Sequence, residues 1–166
     1  MADQLRSQVS PLSQALGRIP SGLYILTIRH EGRSTGMLAS WVQQAGFDPP
    51  MLTVAVKLDR YVADWIEATG RFTLNQLATG SKALIRHFGR GFAPDADAFD
   101  GLELQPEDTT MGGPVLASAL AYLDVEVAGQ LTGGDHRIFV GRIVAGSMQH
   151  HDAEPFLHVR ANGFHY

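Results

Sequence analysis

Four short stretches of this chain gather residue types that can do chemistry. Lys57-Leu58-Asp59-Arg60 sets two cations at the end of an apolar run, just ahead of a helical pattern, and can seat one phosphate group. The same charges also suit a surface ion pair between Arg60 and Asp59 or Asp64. Gly134-Asp135-His136 offers an imidazole at a glycine turn, able to stack on or hydrogen-bond a heteroaromatic ligand. Asn75 interrupts the apolar run Phe72-Thr73-Leu74-Asn75-Gln76-Leu77, so its amide must meet either neighbouring backbone or a ligand. Thr35-Gly36-Met37-Leu38-Ala39-Ser40-Trp41 is rich in small residues and ends in a large aromatic. Small residues admit a flat ligand close to the backbone, where amide groups and the Thr35 and Ser40 hydroxyls can bond its polar edge; they equally permit tight packing inside a barrel.

Other chemistries are excluded or disfavoured. The 166 residues contain no cysteine, which removes disulfides, thiol nucleophiles, iron–sulfur clusters and Cys-based zinc sites. Thirteen basic against seventeen acidic residues give a net charge of −4, which argues against nucleic-acid binding while leaving room for a local anion pocket. Gly89-Arg90-Gly91-Phe92-Ala93-Pro94 begins like a dinucleotide fingerprint but ends in proline and follows no strand. No Walker A lysine, His-Glu-x-x-His or Gly-x-Ser-x-Gly motif is present. The C-terminal histidines His150, His151, His158 and His165 show no familiar metal-ligand spacing. With no secretory h-region and no apolar run near the ~20 residues of a membrane span, a soluble cytoplasmic protein is expected, not a membrane one.

The elements that must position these groups are mostly strands. Ser10 and Pro11 start a short helix that Gly17 stops. Leu23 to Ile28 reads as a strand buried on both faces, and Ser34 to Val42 returns as its hairpin partner. Met51 to Val56 and Phe72 to Leu77 read as strands, and Tyr61 to Ala68 and Ser81 to Phe88 as helices, the first stopped by Gly70. Residues 89–113 dissolve into Gly, Pro, Asp and Thr, a long connection of the kind that often covers a binding site. Ala121 to Leu131 and Ile138 to Ser147 form a long hairpin, followed by a last strand from Phe156 to Arg160. One mainly β domain spanning 1–166 is expected: an antiparallel Greek-key barrel with short peripheral helices.

In order along the chain, Arg18-Ile19-Pro20-Ser21-Gly22, Gly36-Met37-Leu38-Ala39-Ser40-Trp41-Val42, Phe47-Asp48-Pro49-Pro50, Gly70-Arg71-Phe72 with Asn75, and Gly134-Asp135-His136-Arg137-Ile138-Phe139-Val140-Gly141 resemble the flavin reductase-like family of FMN-binding split barrels. The likeness extends to the C-terminal reductase module of diflavin flavoproteins through His87-Phe88-Gly89-Arg90-Gly91-Phe92-Ala93-Pro94 and the ending His158-Val159-Arg160-Ala161-Asn162-Gly163-Phe164-His165-Tyr166. The resemblance implies a homodimer with one FMN per subunit near the interface, and NADH or NADPH as co-substrate. It implies that Thr35, Gly36, Met37, Leu38, Ala39, Ser40 and Trp41 line the flavin. Lys57, Asp59 and Arg60 would lie near its phosphate, Tyr61 would also be a cofactor-binding residue, Asn75 would lie beside the ribityl chain or ring, and Tyr166 would help close the pocket. His136 would sit by the flavin or the incoming nicotinamide as the catalytic candidate, with electrons passing to an acceptor or a partner oxygenase. Leu38 and Ala45-Gly46 depart from the usual family pattern, which leaves backbone contacts to flavin there. A fold with no triad suits a reductase, whose cofactors carry the chemistry, and equally a non-catalytic split barrel that holds FMN or haem.

Overall fold

The computed structural model describes residues 9–165; the expected pocket residue Tyr166 lies outside them. The elements run α1 (Pro11–Gly17), β1 (Ser21–Gly22), β2 (Tyr24–His30), β3 (Arg33–Ala39), β4 (Val42–Phe47), β5 (Pro50–Lys57), α2 (Tyr61–Thr69), β6 (Arg71–Gln76), α3 (Lys82–Gly89), a single 3-10 turn (Glu107–Thr109), β7 (Ala121–Gly133), β8 (His136–Met148) and β9 (Leu157–His158). Ser10 caps α1 as expected, its side chain accepting from the Ser13 amide while Ser13 answers from the third position. Gly70 ends α2 in the left-handed region at φ 67°, which a side chain would resist.

Seven strands form one antiparallel sheet in the order β3-β2-β6-β7-β8-β5-β4. Its two edge strands, β3 and β4, are consecutive in the chain and joined only by Ser40 and Trp41. Three Cα–Cα steps reach at most about 11 Å, so the edges must come together and the sheet curls into a barrel. The Ala55 amide bonds the Trp41 carbonyl at 3.0 Å and ties this corner to β5. The expected strand Ser34 to Val42 is therefore two strands broken at the corner, and β4 is an additional one. Gln43, Gln44 and Ala45 leave β4 exposed on both faces, so it carries no apolar alternation to read.

Two cores flank the sheet. Inside the barrel, Leu26, Ile28, Val54, Val56, Phe72, Leu74 and Phe139 pack with Val62, Ala63 and Ile66 of α2. Outside it, Leu23, Ile25 and Leu77 pack beneath α3 (Leu84, Phe88) and beneath Ala98, Phe99, Leu116 and Ala119 of the long connection. Strand β2 is thus buried on both faces, as its composition requires. The long connection covers this second core instead of a binding site. Its stretch 110–116 is bolted to the outer face of the sheet by buried Thr27, Thr73, Asn75 and Asp124.

Candidate functional site

The Ser40-Trp41 corner, the β5 and β8 ends, α3 and the C-terminal segment 156–165 enclose a groove of about 990 Å³. That lies at the upper end of the ~300–1,000 Å³ typical of ligand sites. Strand pairing builds one wall: Lys57 lies opposite His136 across β5 and β8, and the Leu58 amide bonds the Asp135 carbonyl at 3.0 Å. Gly134, at φ 62°, lets a two-residue turn present Asp135 and His136 there. The second wall is apolar, from Met37 and Leu38 of β3 and Ile85 and Phe88 of α3. Gly36 makes this approach possible, since a β-carbon on it would stand 2.7 Å from Phe88 Cε1. The third wall is the C-terminal segment, anchored through β1–β9 pairing and by the Arg160 and Gly163 amides on the Gly17 and Ser13 carbonyls.

Three polar features distinguish the groove. Ser40 is 3% exposed, and its Oγ is the single buried side-chain polar atom without a partner among the described residues. A buried hydroxyl left unbonded costs about 1–3 kcal/mol, so Ser40 brings an unused hydrogen-bonding group to the groove. Second, the His136 ring packs on Trp41 at 4.5 Å between centroids with the planes tilted by 43°, and Arg160 covers Trp41 with its guanidinium carbon 5.5 Å from the ring centre. His136 Nδ1 donates to Asp135 Oδ1 at 2.7 Å, which sets the ring's orientation. Third, Lys57, Arg60, Lys82, Arg86 and Arg160 line the groove against Asp135, the one lining side-chain carboxylate among the described residues. An acidic chain thereby carries a cationic cleft, a local field suited to an anionic ligand.

The sequence-derived candidates divide accordingly. Met37, Leu38, Ala39, Ser40, Trp41, Lys57, Arg60 and His136 line the groove. Lys57 is partly spent, because its ammonium bonds Asp59 Oδ2 at 3.0 Å. Arg60 pairs with neither Asp59 nor Asp64, the latter lying against Arg137, so the expected surface pair does not form. Thr35 is fully buried, its hydroxyl sharing a 2.9 Å hydrogen bond with Tyr61, whose phenol donates to the Phe92 carbonyl. Gly36 packs against Phe88. Asn75 lies outside the groove: its Nδ2 donates to the Ile25 and Pro114 carbonyls and Thr27 Oγ1, and its Oδ1 accepts from the Leu116 amide, so every polar atom of the amide is used in fixing the loop. Lys82, Arg86, His158 and Arg160 are groove residues the sequence reading passed over. The i,i+4 spacing of Lys82 and Arg86 on an amphipathic helix is the signal that points to the first two.

This groove and corner can be set beside known proteins. The flavin reductase like domain profile matches residues 16–165. The chain belongs to the flavin reductase like family. Diflavin flavoprotein A 1 of Synechocystis sp. is 40% identical over 164 residues, 98% of this chain and 28% of that protein. The chain thus spans less than a third of the length of the curated relatives it matches. An NADH:FAD oxidoreductase from Streptomyces globisporus superposes with a TM-score of 0.80 at 26% identity, covering 89% of this chain and 86% of the other. Nitrilotriacetate monooxygenase component B from Mycobacterium thermoresistibile does so with a TM-score of 0.80 at 27% identity, covering 96% and 85%. The expected fold holds: a mainly antiparallel split barrel of this flavin reductase like type. Among the described residues no helix is long and apolar enough to cross a membrane, and no cluster of His, Asp and Glu side chains could hold a metal ion.

The C-terminal wall carries its own pH dependence. Burial first, and the nearby Arg160 charge second, hold the His158 imidazole below its ordinary range. The fold therefore favours neutral His158. Its contribution is present above the unfolded value of about 6.5 and is lost as pH falls through the lower folded value. Thermal melts of the wild type are expected to lose more Tm between pH 7.5 and 5.5 than melts of His158→Gln. Parallel pH profiles for the two proteins would remove His158 as the cause.

Proposed function

We propose that the protein is an NAD(P)H-dependent flavin oxidoreductase that takes FMN in this groove and passes electrons to an acceptor or a partner oxygenase. The unpartnered Ser40 Oγ at the closed corner of a cationic groove is the observation that supports the reading most directly. The names of the structural neighbours, an NADH:FAD oxidoreductase and a monooxygenase component, agree with it. Bound flavin supplies hydride acceptance from a reduced nicotinamide, chemistry that belongs to the cofactors.

The chain's own residues supply position and field. The Ser40 hydroxyl, able to donate and to accept, bonds the polar edge of the ring. Backbone groups of the β3 edge, which among the described residues pairs only with β2, lie alongside. Arg60, aided by Lys57, seats the phosphate. Leu38, Ile85 and Phe88 exclude water from one side of the groove, which strengthens every polar contact within it. His136, oriented by Asp135 through Nδ1, presents its other nitrogen and its ring to the arriving nicotinamide. A homodimer is part of this reading: Phe47 on β4 is 91% exposed, and Leu131, Val144 and Met148 are exposed on the long β7–β8 hairpin.

Anaerobic addition of NADH or NADPH to purified protein with FMN tests the reading. Flavin bleaching faster than a protein-free control is expected, and its absence with both nucleotides would overturn it. Within this scheme His136→Ala should slow flavin reduction about tenfold, the scale of a lost positioning contact, while the FMN Kd changes less than about threefold. Stopped-flow reduction alongside fluorescence titration separates the two, and unchanged reduction kinetics would take His136 out of the site.

A further inference from the structure

Two segments distant in sequence hold one another at the mouth of the groove. Strands β1 and β9 form a two-stranded sheet of their own, apart from the seven-stranded one. The two buried residues of α1, Ser13 and Gly17, are the ones whose carbonyls accept the Gly163 and Arg160 amides, at 2.7 and 2.9 Å. The contact is backbone on backbone: a β-carbon on Gly17 would stand 2.5 Å from the Arg160 carbonyl oxygen, and one on Gly163 would fall on Leu16. Neither core contains a residue of α1, and Leu12, Ile19 and Leu157 are each more than half exposed. Both ends of this unit join the barrel at Leu77, whose amide bonds the Leu23 carbonyl and whose carbonyl accepts the Phe156 amide, each at 2.9 Å. Across the groove it reaches the Ser40-Trp41 corner through Arg160, whose guanidinium covers the Trp41 ring.

We propose that α1, β1 and residues 157–165 are a gate on the groove that swings as one body about Leu77, with Arg160 on Trp41 as its latch. Swinging keeps the β1–β9 pairing and the α1 hydrogen bonds inside the moving body and leaves the seven-stranded sheet whole. What it breaks is a cation–π contact and the packing of a segment that buries little apolar surface, the kind of region that opens far more readily than a core. Once open, the groove loses the wall formed by His158, Arg160, Gly163, Phe164 and His165, and a bulky ligand can enter or leave. For flavin as that ligand the inference rests on the proposed function; the gate itself does not.

The absence of cysteine lets two introduced ones carry spin labels. Gln14→Cys with Ala83→Cys, both exposed and neither lining the groove, reports the separation of the gate from α3. Gln14→Cys with Leu157→Cys lies within the gate. Electron paramagnetic resonance should find two distances for the first pair in the ligand-free protein and one for the second. Arg160→Leu should raise the longer-distance population about threefold, the scale of one partly exposed cation–π contact. With FMN as the probe, its stopped-flow association and dissociation rates should both rise about threefold in this variant and the Kd should hold, whereas loss of a direct contact would raise dissociation alone. A single distance for the first pair with and without Arg160 would overturn the gate. A second distance within the gate would overturn its motion as one body, and a change in dissociation alone would make Arg160 a ligand contact instead of a latch. Two distances that respond to Arg160→Leu without any FMN binding would keep the gate and overturn the flavin reading.

Discussion

Arg60→Ala should weaken FMN binding by about tenfold while riboflavin affinity stays within about twofold. The two ligands differ only in the phosphate, so their ratio isolates the guanidinium's contact from everything the ring feels. The magnitude follows from a charge-assisted hydrogen bond, worth about 1.5–3 kcal/mol, taken at its lower end because Arg60 is exposed. Arg60 is the cation to remove because it is uncommitted: Asp59 is held by Lys57 and Asp64 by Arg137, so no neighbouring carboxylate has to be released before a phosphate binds. Raising ionic strength should narrow the wild-type difference between FMN and riboflavin, since exposed charges are screened over about 8–10 Å at physiological salt. Equal losses for both flavins would place the phosphate elsewhere.

The largest effect on stability is expected far from the groove, at Asp124. This carboxylate is 4% exposed on the outer face of β7. Its Oδ1 accepts from the Thr73 hydroxyl and the Gly112 amide, each at 3.0 Å, and its Oδ2 from the Met111 amide at 2.8 Å. Gly112 and Gly113 lie so flush on β6 and β2 that a β-carbon on either would fall 2.3 Å from backbone carbon of Phe72 or Thr27. Asp124→Ala strands three donors, of which the Thr73 hydroxyl and the Gly112 amide are buried and the Met111 amide is part-buried, at about 1–3 kcal/mol for each buried one before relaxation. A net loss of about 3–5 kcal/mol is expected, a large part of the ~5–15 kcal/mol that holds a domain together. Thermal melts should fall by about 10 °C, at 2–4 °C per kcal/mol for this size. Asp124→Asn, which keeps one acceptor oxygen, should fall by less. FMN affinity of the folded variant should be unchanged, because the loop covers the second core and not the groove. A drop of only a degree or two would mean that water or a shifted loop replaces the carboxylate.

Residues 71–76 show how far local pattern reaches. Their β-branched and aromatic character identifies a strand, and the same run makes Asn75 conspicuous. What the amide does was a choice between a ligand and the protein's own backbone. Only the arrival of Pro114 and Leu116, some 40 residues away, assigns it to the loop. The 33–47 stretch shows the opposite failure. Its small residues announce a close approach, but the corner at Ser40 and Trp41 is invisible, because β4 has no buried face of its own and its register comes from β5.

The sequence by itself determined the short-range features: the helix caps, the strands with a buried face, the Gly134-Asp135 turn, the absence of cysteine chemistry, and motifs ordered closely enough to identify the family. Each depends on residues within a few positions of one another, where propensity and periodicity act directly. Tertiary structure alone decided which cations face one ligand. Lys57 with Arg60, Lys82 with Arg86, and Arg160 lie on three separate segments, and their shared groove exists because a two-residue corner closes the barrel while Gly36 lets α3 lie against β3. It also decided which charges are free, since an ion pair is a distance between atoms and not a spacing along the chain.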